Sequence, residues 1–447
     1  MSKVYKIRKG KDIPLVGKAT RQILGEIKSS TVALKPTDFK GLTPKLEVQA
    51  GDEVKAGDAL FHVKSNPAIK FTSPVSGEVA EIVRGDRRAI LEVRILADNE
   101  IKYKKFNVEN ASDKESIMAI LLESGLWPCI IQRPFGTIAN PEESPKAIHI
   151  STYNTAPLAA DNSFLIEGDE NAFQKGLDIL THLTTGVVHL NHNTRDEHSA
   201  IFTNCTNVQH NFFEGPHPAG LVGVQIHHID AINKGDVVWT LNPQSVAYIG
   251  RLFLTGHADL SKVVAIAGSE TSEQGYVRTM AGVQIENLLA GRVNDGNQRV
   301  ISGDVLTGRH LNNDGYLGFY DNLITVIPEG DQYEFMGWLI PTYARPTISN
   351  SLPISKYLKK EFRANTNLHG EERAFVVSGQ YEKVLPMDVL PVHLLKAILA
   401  QDLEAMENLG IFEIIEEDMA LCEFVCTSKI EVQDIVRQGL ELMEEEG

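Results

Sequence analysis

Turn signals crowd the first part of the chain, at Gly51-Asp52, Ala56-Gly57-Asp58, Asn66-Pro67, Ser73-Pro74, Ser76-Gly77 and Arg84-Gly85. No helix of ordinary length fits between breakers so closely set, because proline removes a backbone donor and glycine costs entropy in a helix interior. Strand-length apolar runs do fit, and residues 59–63 and 78–83 are two of them. Residues 1–103 therefore read as a small all-β module.

Inside that module, residues 51–58 spell Gly-Asp-x-Val-x-x-Gly-Asp, followed by a hairpin and then by Ser73-Pro-Val-Ser-Gly-Glu-Val79. This order resembles the barrel-sandwich fold of biotinyl and lipoyl carrier domains. A carrier needs a lysine at its hairpin tip, where a primary amine forms the amide that holds the cofactor. Asn66 stands at the corresponding position and Lys64 is off register, so the module reads as a carrier fold reused for docking.

Beyond residue 103 the apolar period lengthens. Ser112-Asp-Lys-Glu115 spells a capping box ahead of Ile117, Ile120 and Leu121, and Gly125 supplies a left-handed stop. An apolar strand at 147–151, a helical stripe of Phe173, Leu177, Leu180 and Leu183, and a second strand at 187–190 make a βαβ unit and imply a parallel sheet. The run at 221–226 reads as a further strand, and Asn242-Pro243 opens a helix through Val246, Ile249, Leu252 and Phe253 to Gly256. Residues 104–256 are thus expected to form a Rossmann-like α/β domain. Residues 257–335 alternate strands at 263–267, 299–301 and 323–327 with a helix near 283–289, the pattern of a β-grasp, SLBB-like domain. From Pro391 the pattern is helical, with Leu394, Leu395, Ile398, Leu399, Leu403 and Met406 on one face, and Ser428-Lys-Ile-Glu431 is a capping box for a last helix. Residues 336–447 are read as a largely helical domain. The fold class is multidomain α/β, and 447 residues with 43% apolar content suffice for several cores.

The four cysteines are too few for a disulfide framework and fit a reducing compartment. The first ten residues lack the apolar core of a secretory signal. No run approaches the roughly 20 apolar residues of a membrane span. A formal charge of −16 repels nucleic-acid phosphates and anionic lipid alike, so attachment to a membrane is expected through protein partners.

A nucleotide-binding redox enzyme needs a glycine-rich strand-to-helix loop, where bare N–H groups approach a pyrophosphate. The connection at residues 152–169 contains no G-x-G-x-x-G, and no G-x-x-x-x-G-K-[ST] occurs. His189, His192, His198 and the pair His227-His228 could suggest a metal, yet neighbours in a strand point to opposite faces, and they read as ordinary hydrogen-bonded histidines. Cys422 and Cys426, four apart, lack the tighter repeats and further ligands of an iron–sulfur site and read as buried thiols. No catalytic, metal or cofactor-binding residue is assigned. Two stretches remain unusual. Gly215-Pro-His-Pro-Ala-Gly220 fixes a rigid loop, and Arg133-Pro-Phe-Gly136 sets a permanent cation beside an aromatic ring. The second pairing suits a quinone headgroup, whose oxygens accept hydrogen bonds and whose ring packs on apolar surface; each stretch could equally be a structural turn.

Ordered along almost the whole chain, Ile7-Arg-Lys-Gly-Lys-Asp-Ile-Pro-Leu-Val-Gly17, Asn66-Pro67, Phe71-Thr-Ser-Pro-Val-Ser-Gly77, Glu123-Ser-Gly-Leu-Trp127, Arg133-Pro-Phe135, Pro157-Leu-Ala-Ala160, Gly215-Pro-His-Pro-Ala-Gly220, Leu252-Phe-Leu-Thr-Gly256 and Tyr381-Glu-Lys-Val384 resemble the A subunit of the sodium-translocating NADH:quinone reductase. Thr427-Ser428 and Gly136 depart from the family's usual residues. The resemblance implies a fold related to the NADH-binding flavoprotein subunit of complex I and to the C subunit of the Rnf complex, on a scaffold that has lost FMN and iron–sulfur centres. It further implies a peripheral subunit on the cytoplasmic side of the bacterial inner membrane. Its partners there are the other subunits of the complex, the membrane-embedded B subunit especially, and it is inactive when isolated. Quinone is the implied substrate of the complex, and Lys35, Phe39, Arg133 and Phe135 are the residues the resemblance assigns to it. A structural adaptor and a free-standing NADH/FMN oxidoreductase are the competing readings.

Overall fold

The computed structural model describes residues 3–109, 111–196, 200–312, 314–330 and 361–446. The expected boundary at 335–336 and His198 lie outside the described residues. The closely spaced turns fold into two small facing sheets. One orders Thr31–Leu34, Ile90–Ala97, Gly77–Arg84 and Glu53–Val54; the other orders Pro44–Leu46, Ala59–Val63 and Lys70–Thr72. Leu60, Phe61, Phe71, Val79, Val93 and Ile95 fill the space between them. The two strands that precede residue 30 do not join this barrel. Val4–Lys6 pairs in parallel with Gln209–Glu214, and Ile23–Glu26 pairs in parallel with Gly275–Met280. The barrel is therefore smaller than the 1–103 module read from the turns.

The α/β region is a seven-stranded sheet, ordered Val4–Lys6, Gln209–Glu214, Val187–Asn193, Ala147–Ser151, Val238–Leu241, Ile131–Arg133 and Thr137–Ile138. The first five strands are parallel and the last two antiparallel. The helices Glu170–Thr181 and Pro243–Thr255 cross on one another through glycines: a Cβ on Gly176 would overlap the Val246 carbonyl oxygen, and one on Gly250 the Ala172 carbonyl oxygen. Asn242 caps the second of these by accepting from the Ser245 N–H at 2.8 Å, and Gly256 closes it at φ 76°, as the sequence predicts. The cap of the helix Lys114–Glu123 is Asp113, not Ser112, with the carboxylate accepting from the Ser116 N–H at 2.9 Å.

One element differs in kind. Residues 221–226, expected as a strand, open the helix Val222–Asp230. The alternation of Val222, Val224 and Ile226 imitates a strand over six residues, a length at which period alone cannot discriminate. Tertiary contacts decide: the Gln225 amide donates to Ser151 Oγ at 2.9 Å and its oxygen accepts from Asn191 at 3.0 Å, which draws this face under the sheet.

A second mixed sheet orders Arg309–Leu311, Gln298–Ser302, Leu323–Pro328, Ser261–Ala267, Gly275–Met280 and Ile23–Glu26, with the short helix Ile285–Leu289 against it. Helices Pro391–Leu399, Leu403–Asn408, Glu416–Val425 and Val432–Glu446 follow, built on Leu394, Leu395, Met406, Met419, Val436 and Leu440. Ser428 does not cap the last helix; its hydroxyl donates to the Ala374 carbonyl at 2.9 Å. Among the described residues no helix is long and apolar enough to cross a membrane.

Candidate functional site

Where the barrel, the α/β sheet, the second mixed sheet and the C-terminal helices meet, they enclose a cavity of about 690 Å³. The α/β sheet contributes the carboxyl ends of Ala147–Ser151 and Val238–Leu241, two neighbouring parallel strands. The crevice outside the carboxyl ends of the strands is where open α/β sheets bind ligands. The remaining walls come from Lys35 and Lys40 of the barrel, residues 318–322 of the second sheet, and Glu416, Glu417 and Arg437 of the helices.

Lys35 and Arg133 both line this cavity. Lys35 Nζ donates to the Tyr316 carbonyl at 2.7 Å and stands 3.5 Å from Asp38, just beyond the turn at Pro36. Burial pushes the Asp38 carboxyl above its usual range, against the pull of Lys35 and of its bond from the Phe319 N–H at 2.9 Å. Arg133 ends the strand Ile131–Arg133 and is almost sealed from solvent. Its Nη1 lies 2.6 Å from Asp418 and its Nη2 2.8 Å from Glu417. Both carboxylates sit in the first turn of the helix Glu416–Val425, whose unpaired N–H groups and dipole favour negative charge. Asp418 also accepts from the Ile415 N–H at 3.0 Å. The guanidinium is thus a structural tie, with its two terminal nitrogens already engaged.

The two aromatic candidates are elsewhere. Phe39 stands behind the wall, its ring centroid 4.6 Å from Phe71, 5.1 Å from Phe319 and 5.6 Å from Tyr320. It supports Phe319 and Tyr320, which do line the cavity. Phe135 turns away at φ 79° and meets Phe412 edge-on at 6.2 Å. What it offers the site is its carbonyl, which accepts from Arg437 Nη2 at 2.8 Å. Sequence reasoning passed over Phe319, Tyr320, Arg309, Lys40 and Glu416. The signal for the first two is Gly315-Tyr-Leu-Gly-Phe-Tyr-Asp321, adjacent rings in a glycine-flanked loop.

The other groups singled out in the sequence have local partners. His149 and His189 stack at 4.4 Å, and His192 Nε2 lies 2.8 Å from His210 Nδ1. Burial lowers the basicity of His149, and brings His189 down to about 4 and His192 to about 3. His227 Nδ1 lies 2.6 Å from Glu413, and His228 Nδ1 lies 2.9 Å from the Val224 carbonyl. Among the described residues no group of three or more His, Cys, Asp or Glu side chains is placed to hold a metal ion. In the Gly215–Gly220 loop, His217 Nδ1 lies 3.1 Å from Thr155 Oγ1, and Gly220 reaches the cavity wall. Cys422 and Cys426 are buried free thiols, and burial raises the Cys422 pKa.

These features define a multidomain α/β protein in which a small β barrel, two mixed sheets and a set of helices close around a shared cavity. Residues 5–98 match the family model described as the NqrA N-terminal barrel-sandwich hybrid domain, residues 112–258 the NqrA second alpha/beta domain, and residues 263–313 the NQRA C-terminal domain of SLBB type. The A subunit of the Na(+)-translocating NADH-quinone reductase of Yersinia pseudotuberculosis is 39% identical, over 99% of this chain and 100% of that protein. Those of Serratia proteamaculans and Vibrio vulnificus are each 38% identical over 99% of this chain, covering 100% and 99% of the relative. The chain belongs to the family of Na(+)-translocating NADH-quinone reductase A subunits. A solved NAD+-reducing nickel–iron hydrogenase aligns at 9% identity, 51% of this chain, 52% of that one and a TM-score of 0.34, which carries no argument.

Proposed function

We propose that this chain is the peripheral, cytoplasmic-side A subunit of a sodium-translocating NADH:quinone reductase, held to the membrane-embedded B subunit and its neighbours by protein contacts, and that its cavity receives the quinone headgroup. The parallel sheet is read as Rossmann-like and the domains as 104–256, 257–335 and 336–447. The observation that carries the quinone assignment is charge balance. Five cationic side chains in the lining, Lys35, Lys40, Arg133, Arg309 and Arg437, meet five carboxylates, Asp38, Asp321, Glu416, Glu417 and Asp434. A lining without net charge suits an uncharged ring better than the diphosphate of a dinucleotide, which calls for surplus positive charge or bare glycine N–H groups. Phe319 and Tyr320 offer ring faces, and Asn154, Asn162 and Asn322 carry N–H donors for the carbonyl oxygens.

In this reading electrons reach the quinone from other subunits, and the chain itself carries neither flavin nor iron–sulfur centre. Support for that lies in the missing glycine fingerprint and the single cysteine pair of the tail. The chain's own residues bind and orient: Lys35 and Asp38 hold the Tyr316 and Phe319 backbone, while the Arg133 ion pairs fix the helices against the sheet. Photo-crosslinking a quinone analogue to the assembled complex tests the assignment. Label is expected on peptides containing residues 35–40 and 316–322. Label confined to other subunits would leave this chain the adaptor role alone.

A further inference from the structure

Lys262 lies in the strand Ser261–Ala267, only 5% exposed, and its ammonium points into the back of the loop at residues 315–322. Nζ donates to the Asp321 carbonyl at 2.5 Å and to the Phe319 carbonyl at 3.2 Å. Both acceptors are main-chain oxygens rather than carboxylates. Burying an ammonium against carbonyls alone is costly, and a leucine or methionine of similar length would fill the space more cheaply. The gain is geometric: the two carbonyls flank Tyr320, and Phe319, Tyr320 and Asp321 together form one wall of the cavity.

We infer that Lys262 is a positioning residue for the cavity, its ammonium fixing the Phe319 and Asp321 carbonyls and thereby the stance of the Phe319–Tyr320 wall. This rests on the reading of the cavity as the quinone site. Lys35 holds the same loop at the Tyr316 carbonyl, so the loop is tied at both ends by lysines from different units. On its other side Lys262 lines a second cavity of about 600 Å³, together with Arg251, Asp259 and Arg278. Burial brings the amine down to about 8, opposed by Asp321, Cys129 and Asp38, the groups that face it from the loop, the turn at Trp127–Cys129 and the turn at Pro36–Asp38. Above that pH the neutral amine keeps N–H donors and loses charge assistance, which makes up much of such a bond's strength.

The test uses the assembled complex with Lys262→Met, which removes the donors, and Lys262→Arg, which keeps them. Quinone KM and kcat are followed from neutral to alkaline pH, alongside amide-exchange protection of residues 316–322. Lys262→Met is expected to raise KM roughly tenfold at neutral pH with little change in kcat, and to lower protection of the loop by a similar factor. Lys262→Arg should recover most of both. Wild-type KM should climb as pH passes about 8, and the Met variant should show no such step. Unchanged protection in Lys262→Met overturns the role of Lys262. Lost protection with unchanged KM supports the hold on the loop and instead overturns the quinone reading of the cavity. Should Lys262→Met fail to assemble, the wild-type pH step and the Arg variant decide the matter: an absent step, or an Arg variant without the loop's protection, overturns the inference.

Discussion

Arg133 donates to Asp418 across 2.6 Å with both side chains closed off from water, 1% and 0% exposed, joining the strand Ile131–Arg133 of the α/β sheet to the helix Glu416–Val425. Removing one partner of such a pair strands the other as an uncompensated buried charge, at a cost of about 3–5 kcal/mol. Arg133→Ala should therefore lower the stability of the chain by about that amount in urea titration. The pair Arg133→Met with Asp418→Leu should cost less than the sum of the single changes. Additive losses would mean that the two side chains do not act as a pair. It follows that loss of quinone binding in Arg133→Ala would say little about ligand contact.

Gly250→Ala is expected to destabilise although alanine is the better helix former by about 1 kcal/mol. The new methyl would overlap the Ala172 carbonyl oxygen, so the helices Glu170–Thr181 and Pro243–Thr255 must separate. Strain of that kind costs roughly 1–3 kcal/mol or more. A thermal midpoint at or above that of the wild type would show that the crossing has slack.

Acidification should unfold the chain through its buried histidines. Burial lowers His189 and His217 to about 4 and His192 to about 3, against the ordinary 6.5. Below 6.5 the unfolded chain binds protons that the folded one refuses, so stability falls as pH drops from 6.5 toward 4. Each neutral histidine contributes up to about 1.4 kcal/mol per unit of that shift, reduced where the ring is partly open to solvent. Denaturation midpoints at pH 7, 6, 5 and 4 should fall steadily. Substituting asparagine for His192 should flatten the slope.

All four cysteines are buried, and burial pushes Cys129 up to about 12 and Cys205 to about 11. The thiolate is the reactive form, so iodoacetamide at pH 8 should leave the native chain unmodified and label four sites after denaturation. Rapid labelling of the native protein at Cys129 would mean that the wall between barrel and sheet opens.

The parallel unit was readable in the sequence because two strand-length runs, Ala147–Ser151 and Val187–Asn193, bracket the helical apolar stripe of Glu170–Thr181. Gln209–Glu214 was not, because one of its two buried positions is Asn211, which bonds to Asn191 at 3.0 Å and to His189 at 3.1 Å inside the sheet. A buried amide network carries no hydrophobic period. Lys35 came from family resemblance alone and Arg133 also from its place beside an aromatic ring, and both line the cavity; Phe39, from resemblance alone, and Phe135, from that same pairing, stand behind or beside it. The wall at residues 318–322 draws on partners from residues 35–39, 262 and 302, and nothing in linear spacing reveals such convergence.

The outlying pairing of Val4–Lys6 and Ile23–Glu26 has a consequence for biosynthesis. These two strands leave the ribosome before their partners and cannot complete their hydrogen bonds until residues 209–214 and 275–280 have followed them out. The barrel, whose strands all come from residues 31–97, can close on the nascent chain long before that. The leading strands must then wait, unpaired, beside a finished neighbour, and contacts this distant in sequence form slowly. During translation that stretch is where a chaperone would be needed.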